Sequence, residues 1–131
     1  MSVVVSDPFG IRTDAKLRCW AAALEPAEAE SELRRVCNCQ SLRVMAIRVT
    51  HFKPSRRCLV EYDVDVGPDG PITLVGKIRA RGADFATFDL MQKLRRAGFD
   101  ELSPDGVSVP EPIGIVPAFG MWLQRKVGTL Q

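Results

Sequence analysis

Cys58-Leu59-Val60-Glu61-Tyr62-Asp63-Val64-Asp65-Val66 is the stretch from which the fold is read. Cys58, Val60, Tyr62, Val64 and Val66 share one side of an extended chain, and Leu59, Glu61, Asp63 and Asp65 share the other. Alternation of this kind predicts a strand with one buried and one wetter face. Gly67-Pro68-Asp69-Gly70-Pro71 follows, combining the fixed φ of proline with glycines free to take positive φ, so the chain turns. Residues 72–80 return as a further strand. Upstream, Met45, Ile47 and Val49 alternate with Ala46, Arg48 and Thr50, and the turn His51-Phe52-Lys53-Pro54-Ser55-Arg56-Arg57 joins them to Cys58. Three sequential strands with short connections make an antiparallel meander, not a βαβ unit.

Outward from the meander the period becomes helical. Residues 1–13 read as a lead-in. A helix from Thr13 or Asp14 to Leu24 is predicted by the stripe Leu17, Trp20, Ala21 and Leu24. Pro26 suits the first turn of a second helix, Glu28, Glu30 and Glu32 its positive end, and Arg34 and Arg35 its negative end. Ala29, Leu33, Val36 and Cys37 form its buried stripe. Downstream, residues 82–99 read as a helix ended by Gly98, with Ala86, Phe88, Leu90, Met91, Leu94 and Ala97 on one broad arc. Two short strands follow, at 114–116 and 121–126. The predicted class is α+β: a five-stranded antiparallel sheet with one packed helix, preceded by two N-terminal helices. Residues 1–41 form the helical segment and 42–131 the sheet domain.

Composition narrows the function classes. The chain has 131 residues, a net charge of +2, 46% hydrophobic and 26% charged residues. Charge this even is no footprint for nucleic acid or an anionic membrane. No apolar run approaches the roughly 20 residues of a membrane span, and no secretory signal is visible, so a cytoplasmic setting is expected. Cys19, Cys37, Cys39 and Cys58 are then expected to be reduced thiols. Cys37 and Cys39, with Cys19, Cys58 or His51, have the chemistry of zinc ligands. Their spacing is not that of a zinc knuckle, and no metal site is assigned.

The order of three meander strands, one helix and two more strands resembles a protein-kinase-like amino-terminal lobe. Local residues sharpen the likeness: Phe52-Lys53-Pro54-Ser55-Arg56-Arg57, Leu74-Val75-Gly76-Lys77-Ile78-Arg79, Ala97-Gly98-Phe99, Val109-Pro110-Glu111-Pro112-Ile113-Gly114 and Trp122-Leu123-Gln124-Arg125-Lys126-Val127-Gly128. Together they resemble the aminoglycoside phosphotransferase-like family of small-molecule kinases over about residues 14–131. The resemblance implies an ATP-dependent phosphotransferase in which Lys77 holds the α- and β-phosphates. It also implies a linker at 124–126 where the Gln124 carbonyl and Lys126 N–H meet the adenine edge and Leu123 lines the pocket. In the turn before Cys58, Ser55 offers a hydroxyl to the phosphates, and Lys53, Arg56 and Arg57 offer cations.

The chain departs from the family in three places. The glutamate that orients the lysine aligns with Phe85, and no Glu occurs between Arg79 and Asp100. Asp84 is the substitute carboxylate, with a helix N-cap as its competing role. Asp89 pairs instead with Lys93 at i+4. The phosphate-covering turn contains no glycine. Third, the catalytic loop and magnesium ligands of these kinases come from a carboxy-terminal lobe, and no His-Gly-Asp-like loop occurs here. The expectation is therefore an ATP-binding amino-terminal lobe, inactive alone, with Mg ligands supplied by the other lobe. Its expected partners are ATP and either that lobe or a second copy meeting it through an exposed apolar cleft face. The alternative is a non-catalytic interaction module that kept the fold.

Overall fold

The computed structural model describes residues 3–13, 18–54, 56–67, 70–80, 85–98 and 111–126. In chain order these form β1 (Val4–Ser6), a 3-10 turn (Ile11–Thr13), α1 (Arg18–Ala22), α2 (Pro26–Cys37), β2 (Arg43–Lys53), β3 (Arg57–Asp65), β4 (Pro71–Arg79), α3 (Phe85–Arg96), β5 (Pro112–Val116), a second 3-10 turn (Pro117–Phe119) and β6 (Met121–Arg125). The class is α+β. One mixed six-stranded sheet has the order β1-β2-β3-β4-β6-β5. No helix among the described residues is long and apolar enough to cross a membrane.

The sheet is not the five-stranded antiparallel one expected. Val4, Val5 and Ser6 pair with Ala46, Ile47 and Arg48 in parallel, adding a sixth strand. A parallel neighbour needs a crossover of a dozen or more residues, and the segment holding α1 and α2 supplies it. The two helices therefore do not precede the sheet; they lie within a strand–helix–helix–strand connection. Three residues are too few to show a period, which is why the lead-in concealed a strand.

Alternation works on β3 as read: Cys58, Val60, Tyr62 and Val64 are buried, and the residues between them are partly exposed. Strand β2 breaks its own alternation twice, with register shifts between Val44 and Ala46 and between Val49 and His51. Each shift is a bulge, in which one extra residue flips the faces beyond it. Met45, expected inside with Ile47, is consequently 52% exposed while Val44 is buried. The second bulge, at Thr50, moves His51 off the face of Val49. Strand β2 also runs on to Lys53, which pairs with Arg57, so the expected seven-residue turn contracts to its tip.

One sheet face packs on α1 and α2. Ile47, Val60, Tyr62, Leu74, Ile78, Met121 and Leu123 meet Trp20, Ala23, Leu24, Ala29 and Leu33 in a core that crosses the boundary at 41/42. The Tyr62 hydroxyl donates to the Ala23 carbonyl at 2.7 Å, tying the end of α1 to the middle of the sheet. Gly114 sits under α2 where a Cβ would overlap Val36. At the end of α2, Asn38 caps in the left-handed region with φ 52°, which asparagine tolerates.

The other face carries α3, which contains no fully buried residue. Its contact with the sheet includes Phe88 edge-on to Trp122, ring centroids 6.0 Å apart. Leu90, expected on the packed arc, is exposed, as is Phe85.

Candidate functional site

Strand register assembles the site. His51 pairs with Leu59, Leu59 with Lys77 and Lys77 with Trp122, giving one row across β2, β3, β4 and β6. One step along, Arg57 pairs with Arg79 on the same face. These residues, with Thr87 from α3, line a pocket of about 490 Å³. That volume lies within the range of small-molecule sites.

The pocket is cationic with an aromatic wall. Lys77 Nζ lies 5.0 Å from the Trp122 ring centroid. An ammonium there is attracted by the ring quadrupole, by about 0.5–1 kcal/mol or more where water is excluded. Phe88 braces the same indole. Among the described lining residues are Lys77, Arg57 and Arg79 but no carboxylate. The chemistry such a lining offers is electrostatic capture of a polyanion next to a ring that stacks.

Among the described residues of this face, the carboxylates of Glu61 and Asp63 lie away from the pocket. Arg48 forks onto Asp63 at 2.7 and 3.0 Å and bonds Glu61 at 3.0 Å. Thr73 donates to Asp63, and Lys126 reaches Glu61. The Arg48 bonds hold the Asp63 carboxyl below the usual carboxylate range, against desolvation, with Thr73 adding to the effect. Those bonds raise Arg48 in turn. Among the described residues this face thus holds a charge-balanced ion network at one end and the pocket at the other.

The residues assigned from the sequence are placed unevenly. Lys77 lines the pocket. Leu123 does not: it pairs with Gly76 and is fully buried on the opposite face, towards α1 and α2. Alternation makes Trp122, the partner of Lys77, the residue that walls the pocket. The Lys126 N–H donates to the Thr73 carbonyl at 2.9 Å, and Arg125 N–H to Glu111. Because antiparallel pairs alternate in bonding, Gln124 then points its N–H and carbonyl at Val75. Both main-chain groups assigned to adenine are engaged within the sheet. Ser55 and Asp84 lie outside the described residues, and Phe85 stands exposed at the start of α3.

The side chain of Gln124 shares the Lys77 face and is 9% exposed, and its buried Oε1 has no hydrogen-bond partner. Leaving such an oxygen unpaired costs about 1–3 kcal/mol. His51 and Trp122 were not assigned from the sequence. The register that sets Trp122 opposite Lys77 is a tertiary fact, and the bulge that turns His51 into the pocket has no sequence signature. Among the described residues no group of three or more His, Cys, Asp or Glu is placed to hold a metal. Burial pushes the Cys58 thiol up to about 12 and also raises Cys37.

No known family model, curated protein or solved structure matches the chain.

Proposed function

We propose that this chain is the ATP-binding amino-terminal lobe of a small-molecule phosphotransferase of the aminoglycoside phosphotransferase-like kind. The observation that carries the reading is Lys77. It projects from an inner strand into a pocket shared with Arg57 and Arg79, against the ring of Trp122. In this reading Lys77 holds the α- and β-phosphates, the two arginines hold the outer phosphate charge, and Leu59 and Val75 floor the nucleoside. A second lobe supplies the magnesium ligands and the base for the acceptor hydroxyl, and with them the choice of acceptor.

Calorimetric titration of the chain with ATP tests it. Lys77→Ala is expected to lower affinity at least tenfold, the loss of one charge-assisted contact. An ATP affinity that ignores Lys77, or no binding of ATP or inorganic tripolyphosphate, overturns the reading. The second reading, an interaction module without chemistry, draws support from the engaged main chain at Gln124 and Lys126 and from Phe85 and Leu90 exposed on α3. Absence of nucleotide binding favours it.

A further inference from the structure

Gln124 is a buried polar side chain on the Lys77 face that the ion network does not use. Its Oε1 is enclosed and unpartnered. We propose that the Gln124 side-chain amide reads the purine base of the bound nucleotide, in place of the main-chain groups at 124 and 126. This rests on the ATP reading above and names the specificity-determining residue of that site.

Three features support it. The Lys126 N–H is bonded to Thr73, and strand parity directs the Gln124 main chain to Val75, so at these positions only side chains are left to meet a base. Gln124 stands two residues from Trp122 along β6, and Val75 two residues from Lys77 along β4. At about 3.3 Å per residue the amide is rooted roughly 7 Å from the phosphate-binding row, a separation suited to a nucleoside. Val75, paired with Gln124, and Leu59, paired with Lys77, are both half-buried and make an apolar floor along that span. Since Oε1 makes no hydrogen bond, swinging the amide toward that floor breaks none. An amide presents one acceptor and one donor side by side, the complement of the amino group and N7 of adenine, where inosine offers two acceptors.

The test is calorimetric titration of the 131-residue chain with ATP, inosine triphosphate and inorganic tripolyphosphate. Gln124→Leu is expected to weaken ATP about tenfold, leave tripolyphosphate unchanged, and melt at the same or a higher temperature because the stranded oxygen is gone. Gln124→Glu, an acceptor only, is expected to prefer ATP over inosine triphosphate, whose 6-oxo group opposes the carboxylate. Comparing the two nucleotides within that variant cancels its added charge. The proposal is overturned if Gln124→Leu binds ATP like the parent, loses tripolyphosphate equally, or melts several degrees lower, which would mark a structural partner. ATP binding that needs Lys77 but not Gln124 overturns this inference alone. A parent chain that binds neither ATP nor tripolyphosphate overturns it together with the function on which it rests.

Discussion

The two faces of the sheet are made by the same strands and obey different physics. Toward α1 and α2 the alternate residues of β3 from Cys58 to Val64 are apolar and closed off, and the Tyr62 hydroxyl there has its partner. Toward α3 the alternate residues are Arg57, Leu59, Glu61 and Asp63 on β3 and Thr73, Val75, Lys77 and Arg79 on β4, under a helix that buries none of its own side chains completely. The difference separates stability from binding: one face holds the fold together, and the other is free to carry charge.

Substitutions can break that division or sharpen it. Tyr62→Ala should be the most damaging, at about 3–5 kcal/mol, because it empties a fully buried site between sheet and helices. The urea midpoint reads it, and a midpoint within error of the parent would place the core elsewhere. Gly114→Val comes next at about 1–3 kcal/mol, since its side chain meets Val36, whose β-branch leaves few rotamers to retreat into. Tyr62→Phe isolates the hydroxyl and should cost about 1–2 kcal/mol by stranding the Ala23 carbonyl.

On the charged face the effects should be smaller and depend on pH. Asp63 has its folded pKa lowered, so its contribution is present above the unfolded value of about 3.9 and fades as pH falls through the folded value. Asp63→Asn should therefore lower stability at pH 7 by no more than about 1 kcal/mol, given its exposure, and by less below about pH 4. Paired melts at the two pH values check the sign. Lys77→Met keeps a stem over Trp122 but gives up the ammonium–ring attraction, and should lower stability by no more than about 1 kcal/mol, while abolishing the charge on which nucleotide binding is proposed to rest. A large loss of stability would mean that Lys77 belongs to the structural side.

How much of this was legible follows from what each element needs. Strands β3 and β4 are long and strictly alternating, so both their existence and their faces could be read from residues 58–66 and 72–80. Helix α2 announced itself through Pro26, its charge gradient and its stripe. Strand β1 was hidden because three residues carry no period, and the bulges of β2 because an inserted residue leaves no mark in composition. That second gap propagated into the site: without the bulge at Thr50, His51 belongs with Val49 in the core. The face of Lys77 is legible because alternation fixes it, whereas that of Leu123 is not, because the register of β6 against β4 is a tertiary fact. Residues of α3 misled in another way, since their apolar arc is broad while the contact made by Phe88 is narrow.

The parallel pairing of β1 bears on the order in which the molecule assembles. It joins the fifth residue of the chain to the forty-seventh through only three positions, closing a long loop for a small return in contacts. The hairpins β2–β3 and β3–β4 close far shorter loops. Strand β1 is therefore expected to zip on last and detach first, its amides exchanging with deuterated solvent well before those of β3. While it is away, one margin of β2 lies open to pairing with another chain, so the opening segment serves as a guard against aggregation out of proportion to its length.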